Sequence, residues 1–289
     1  MTRARSSACA LGLWLAAAGS SAQNRVSLWP QLHEGQKLTY QIRLRIDKHT
    51  RTESRVAAPA APLEAPADIL RTVEVEVLDV GSDSPPSKLL LRLQLRDPSV
   101  TQSAAKAVEL AFRPDGSVVP PPNTSELSAD DNQVWQAWLD RFTFAWSLPA
   151  KSVKLGEKWS AEEPISGTLL AALFWEKESQ YVRDEKCPGA SKEGERCAVL
   201  LTTATLKQRS SAKDSTPDDF KVRQLKTRGT AKGRNETFTY IALASGLVIR
   251  SSEEAHQFMD VIVLKADGSN QVHYNIEASS STEMLLLEE

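Results

Sequence analysis

Leu38-Thr39-Tyr40-Gln41-Ile42-Arg43-Leu44-Arg45-Ile46 is the stretch that decides the fold. Its even positions are all apolar and its odd positions are all polar or charged. An extended strand sends alternate side chains to opposite faces, so this segment has one greasy face and one wet face. A helix would scatter the same residues around its circumference.

Working outward, the alternation recurs. Val73, Val75 and Val77 alternate with Glu74 and Glu76. Leu89, Leu91, Leu93 and Leu95 alternate with Leu90, Arg92 and Gln94. Val108, Leu110 and Phe112 alternate with Glu109 and Ala111, before a turn at Pro114-Asp115-Gly116. One-sided strands of this kind belong to antiparallel sheets rather than to parallel sheets buried on both faces. Near the end, Leu247–Lys265 and Gln271–Leu287 flank Asp267-Gly268-Ser269-Asn270, a hairpin signal. Pairing Asp267 with Asn270 sets Val263 against Tyr274, Val261 against Ile276 and Met259 against Ala278. A slip of one residue would bring His273 and Asn275 to that face instead.

Ser128 to Phe142 breaks the rule. Val134, Trp135, Trp138, Leu139 and Phe142 recur at helical spacing. Ser128, with Asp131 three residues on, resembles a capping box, and Asp130 and Asp131 suit a helix N-terminus. The expected fold is therefore mainly β: a long curved antiparallel sheet, as an open half-barrel or a two-lobed β structure, with one amphipathic helix near 128–142. The division expected is an N-terminal β lobe with the helix over 23–148 and a C-terminal β lobe over 149–289, or one continuous domain. Gly35-Gln36-Lys37-Leu38 and Gly156-Glu157-Lys158-Trp159 hint at a duplication of the two halves. Thr50–Asp68 has almost no large apolar side chain, Lys207–Asp219 is mostly Ser, Lys, Asp and Pro, and both read as loose loops.

The first 22 residues have the three parts of a secretory leader. Arg3 and Arg5 precede an apolar run from Ala8 to Ala18, and Ser20 and Ala22 supply small residues for cleavage after Ala22. The run is too short to span a bilayer, and no other stretch approaches a transmembrane span. Cleavage leaves Cys187 and Cys197 as the mature cysteines, and an even pair in an exported chain reads as a disulfide. The chain carries a formal charge of −2 over 289 residues, which argues against a nucleic-acid partner. Lys221, Arg223, Lys226, Arg228, Lys232 and Arg234 form its most basic stretch, without the interleaved aromatics that stack on bases. It reads as a solvated strand pair turning near Gly233.

Leu148-Pro149-Ala150-Lys151-Ser152-Val153-Lys154-Leu155-Gly156-Glu157-Lys158-Trp159 resembles a phrase of uncharacterised secreted bacterial β proteins and lipoproteins, LP-x-K-x-V-K-x-G-[DE]-x-W. Tyr240 to Val248 is similar to their glycine-led strand entry. The resemblance implies a curved antiparallel sheet, loosely like the open half-barrels that carry lipoproteins or lipids. It implies a periplasmic or secreted location and brings no catalytic residue with it.

Chemistry-bearing patterns are sparse. His33, His49, His256 and His273 stand in no metal-ligand spacing, and the hairpin register holds His256 and His273 roughly 25 Å apart. No serine elbow or SxxK occurs. Glu74 and Glu76 share a wet strand face without a cleft, which falls short of a glycosidase pair. No catalytic residue, metal or cofactor is expected. Trp135, Trp138 and Phe142, with Trp146 just beyond, would either fill the core or line an apolar groove for an acyl chain. The expectation is a non-enzymatic exported β protein that binds an envelope protein or an apolar ligand on its sheet. The alternatives are a lipid or lipoprotein carrier using that groove, an enzyme of envelope polysaccharide with two facing carboxylates in a cleft, and a structural envelope component.

Overall fold

The computed structural model describes residues 25–54, 66–81, 89–98, 107–113, 118–119, 127–148, 152–165, 167–189 and 194–288. The expected leader with its cleavage point at Ala22, the Pro114-Asp115-Gly116 turn and part of the Leu148–Trp159 phrase lie outside the described residues. In chain order the strands are β1 (Val26–Ser27), β2 (Lys37–Ser54), β3 (Ala67–Val80), β4 (Leu89–Arg96), β5 (Ala107–Phe112) and β6 (Val118–Val119). Helix α1 (Ala129–Phe142) follows, and then β7 (Ser152–Val153), β8 (Lys158–Ile165), β9 (Leu173–Lys186) and β10 (Arg196–Gln208). A short α2 (Asp218–Val222) leads to β11 (Leu225–Ala242), β12 (Val248–Lys265) and β13 (Val272–Glu288).

One antiparallel sheet takes 11 strands in the order β6-β5-β4-β3-β2-β13-β12-β11-β10-β9-β8. Its outer strands β6 and β8 do not pair with each other, so the sheet is open. The C-terminal strand β13 pairs along β2, and a single sheet thus holds strands from both halves of the chain. The alternation of the quoted stretch has the expected consequence. Leu38, Tyr40, Ile42 and Leu44 are buried on the inner face. The outer face is wet and laced with ion pairs, such as Arg43 with Asp68 and Arg92 with Glu76 and Glu109.

Helix α1 lies in the concavity against β2, β3, β12 and β13. Its start is set by Ser128, whose side chain accepts from the Asp131 backbone N–H. The Asp131 carboxylate does not reach back to close a capping box. It takes Arg71 of β3 at 2.8 Å instead, an arginine that Asp97 also holds at 3.1 Å. The β1–β7 ribbon closes one end of the core. Beside it Gly246 has φ +69°, and a Cβ there would lie 2.1 Å from the Trp29 carbonyl oxygen, so only glycine fits.

Three expectations need correction. The hairpin pairs Val263 with Val272, Val261 with Tyr274 and Met259 with Ile276, two residues away from the register expected. The turn is centred earlier, where Lys265 N–H donates to the Ser269 carbonyl and Asp267 accepts from both the N–H and hydroxyl of Ser269. Second, β2 continues to Ser54 and β3 begins at Ala67, so both ends of the Thr50–Asp68 segment are strand. Third, Lys207–Asp219 is tightly bonded where it crosses the sheet end. Ser215 and Thr216 are buried, and Gln208 donates to Ser215 while Thr227 donates to the Ser215 carbonyl. A second apolar cluster of Leu170, Leu173, Leu206, Ala231 and Val261 lies in this part of the sheet, and beside it the Ala171 N–H donates to the Ser215 carbonyl.

Cys187 and Cys197 form a disulfide at the β9–β10 hairpin, with Cα atoms 5.0 Å apart and a separation of 10 residues. Both are buried in the main core. Replacing both with serine is expected to lower stability by about 3 kcal/mol, chiefly by freeing the unfolded chain. Urea unfolding of the two forms measures the difference, and equal midpoints would refute it.

Candidate functional site

The helix meets the sheet with two different flanks. Trp135 and Trp138 have no exposed surface, Phe142 is 3% exposed and Trp146 is 7% exposed. Trp138 stacks on Phe142 with centroids 4.6 Å apart, and Tyr40 of β2 meets both rings edge-on. Of the two readings open for Trp135, Trp138, Phe142 and Trp146, packed core or apolar groove, the structure has the packed core. These side chains come together as core, because Tyr40, Phe112 and Trp29 supply matching aromatic volume from the sheet and the β1 end.

A hollow does exist, on the other flank of the same helix. It is a groove of about 840 Å³ between α1 and the inner face of β8 to β13 and β2. Asn132, Gln133, Gln136 and Asp140 form its helical wall. The floor runs in cross-strand rows. One row is Leu44, Thr282, Glu253, Thr237, Thr202 and Ser179. The next is Ile46, Ser280, Ala255, Asn235, Ala204 and Lys177. Small hydroxyl and methyl side chains keep the floor low, while the main apolar cluster seats the opposite flank of the helix on the sheet.

The charges at the groove are arranged in pairs. Arg141 of α1 is buried and lies 3.2 Å from Glu253 on the floor. It also donates to the Ala137 carbonyl at 2.6 Å. Thr237 donates to Glu253 at 3.3 Å. Lys177 and Glu163 form a second ion pair. Asp140 keeps one side open to solvent, but the groove walls crowd it. Loss of water raises its pKa above the ordinary carboxylate value, and the charge of Glu163 adds to the rise.

Two aromatic side chains line the groove: Phe144, just past α1, and Trp175, which also packs against the second apolar cluster. Trp175 of β9 is half-buried, sits across from Glu163, and reaches over β10 toward β11. A Cβ at Gly233 of β11 would come within 3.1 Å of the tip of its indole. Gly233 is thus a mid-strand residue beneath Trp175, not the turn expected there, and β11 runs through it unbroken. Lys226, Arg228, Lys232 and Arg234 alternate on the exposed outer face of β11.

The remaining sequence candidates do not converge. Glu74 pairs with Arg96 and Glu76 with Arg92 on the outer face. His256 faces Ser279, and His273 faces Ile262 while bonding Asp260 at 3.0 Å. Among the described residues no group of His, Cys, Asp or Glu could hold a metal ion. The groove residues carried one legible signal. Along β12 the inward positions run Ile249, Ser251, Glu253, Ala255, Gln257, Met259, an apolar face interrupted by four small or polar residues.

No protein-family model matches the chain, and no curated protein matches it. Among solved structures it is similar to the outer membrane protein OprG from Pseudomonas aeruginosa, at 6% identity and TM-score 0.19 over 89% of this chain and 98% of that one. It is also similar to an engineered protein studied for asymmetric conductivity, at 8% identity and TM-score 0.20 over 88% of this chain and 100% of that one. A third is a conserved hot dog fold protein of unknown function from Alicyclobacillus acidocaldarius, at 9% identity and TM-score 0.12 over 89% and 81%. At such TM-scores the meaning of the groove rests on its own residues.

Proposed function

We propose that this is an exported, non-enzymatic binding protein that holds a ligand in the groove between α1 and the inner face of the sheet. The observation that carries this is the groove itself. Its volume of about 840 Å³ falls in the range of ligand sites, at a place where a β protein of this kind would otherwise bury core. The leader-like start, the Cys187–Cys197 disulfide and the Leu148–Trp159 resemblance support a periplasmic or secreted location. The filled aromatic face weighs against a carrier that lodges an acyl chain beside Trp138.

Ser280 stands in the middle of the floor and is half-buried. Native mass spectrometry of protein recovered from the envelope of producing cells is expected to show a discrete bound mass. Ser280→Trp is expected to abolish that mass while leaving the β-type circular dichroism intact. If the plugged variant keeps the bound mass, the ligand lies elsewhere and the proposal fails.

A further inference from the structure

The chemistry of the groove narrows what it can hold, and the narrowing rests on the binding reading just given. Charge comes first. The lining holds the carboxylates of Asp140, Glu163 and Glu253 against the cations of Arg141 and Lys177. Both cations are already committed, to Glu253 and Glu163 respectively. A phosphate, a lipid headgroup or an acidic polymer would meet three carboxylates against two cations, each cation already facing a carboxylate. An anionic occupant is disfavoured.

Hydrogen bonding comes second. Among the described residues, the side chains of Asn132, Gln133, Gln136, Gln257 and Ser280 make no hydrogen bond within the chain, though all line the groove. An acyl chain laid over them would strip their water and return nothing, at about 1–3 kcal/mol for each group left unpaired. A hydroxyl-rich occupant would replace that water with direct bonds. Amides both donate and accept, so they suit hydroxyls that do the same.

Shape comes third. Trp175 lies across β10 with its tip over Gly233, where a Cβ would crowd both the indole, at 3.1 Å, and the His256 carbonyl oxygen, at 2.9 Å. Its indole offers an electron-rich face at one end of the floor, and Glu163 and Lys177 sit on the adjoining inward positions. The C–H groups on one side of a sugar ring pack on such a face while its hydroxyls reach polar neighbours.

We propose that the groove binds an uncharged glycan, with one ring stacked on Trp175 and its hydroxyls held by the amides and hydroxyls of the α1 wall and the sheet floor. The test uses the full processed chain on an array of neutral and acidic glycans, followed by calorimetric titration of the best neutral oligosaccharide. Trp175→Leu keeps an apolar side chain and removes the ring face, and it is expected to weaken binding at least about tenfold. Trp175→Tyr is expected to stay within about threefold of wild type, and Gln257→Ala to weaken binding without moving the thermal midpoint. Binding confined to acidic glycans, an array with no hits, or affinity unchanged in both Trp175→Leu and Gln257→Ala would each overturn the assignment. An empty array beside a bound mass that Ser280→Trp removes would overturn the glycan and leave the groove reading standing. An empty array with no bound mass would overturn both.

Discussion

Trp138→Ala is expected to lower stability by about 3–5 kcal/mol, among the largest effects of any single truncation in this chain. The reason is local and countable. The ring has no exposed surface and touches Trp135, Phe142 and Tyr40 at centroid distances of 5.8, 4.6 and 6.2 Å. Removing it opens a cavity where α1 meets β2, and a helix held against a rigid sheet cannot collapse to close it. The indole N–H of Trp138 has no hydrogen-bond partner among the described residues, so the ring is held by packing alone. Trp138→Phe sheds that orphaned donor and keeps most of the volume, and it should lose less than half as much. Urea unfolding followed by circular dichroism measures both. If the alanine variant lost less than about 1 kcal/mol, the helix would not be seated as described.

The fold was legible because one physical constraint wrote itself into the sequence many times. The inward residues Leu38, Tyr40, Ile42 and Leu44 alternate with outward Thr39, Gln41 and Arg43, and that period has no helical solution. The helix announced itself by the opposite period and by Ser128, whose cap is formed as expected. Register was less legible, for a reason specific to β structure. A slip of one residue exposes the core and is heavily penalised, but a slip of two keeps every side chain on its own face. Val261 opposite Tyr274 and Val261 opposite Ile276 satisfy the same apolar pattern, and the hydrogen bonds of Asp267 and Ser269 in the turn decide between them. Composition misled at Lys207–Asp219 because the Ser210 and Thr216 hydroxyls donate to the Ala171 and Thr227 carbonyls, which apolar content does not record.

The groove was half-written. Periodicity assigned the right residues to the inner face but could not say whether that face was covered. The aromatic side of α1 drew attention as a candidate hollow, yet large rings at helical spacing meet large rings on β2 and β5 and fill the space between. The hollow instead follows the small and polar inward residues: Ser280 and Thr282 on β13, Glu253 and Ala255 on β12, Asn235 and Thr237 on β11. These lie far apart in the chain and become neighbours only through cross-strand register. A reader of sequence alone sees each as a lapse in a strand's apolar face, and only topology turns the lapses into one surface.

The second large effect is expected where the packed core gives way to the groove. Glu253→Ala should lower stability by about 3–5 kcal/mol, because it leaves the Arg141 guanidinium buried without its counter-charge. The Arg141 side chain is only 7% exposed, so its charge has little water to turn to, while Glu253, 24% exposed, keeps one side toward the groove. Arg141 is also poorly satisfied otherwise. Its Nη1 donates to the Ala137 carbonyl, its Nε has no partner, and its Nη2 faces Glu253 by proximity of charge without hydrogen-bond alignment. The pair is thus a weak net contributor and a costly one to break. Arg141→Met combined with Glu253→Leu is accordingly expected to fall within about 1 kcal/mol of wild type, or above it, since the two desolvation penalties vanish together. Such a double variant would nonetheless lay an apolar patch on the polar floor, beside Thr237. It should therefore weaken occupancy of the groove while sparing the fold. A full double-mutant cycle by urea unfolding checks the energetics. Additive losses in the two single variants would mean that Arg141 and Glu253 do not act as a pair, and that the helix is held over the groove by its aromatic flank alone.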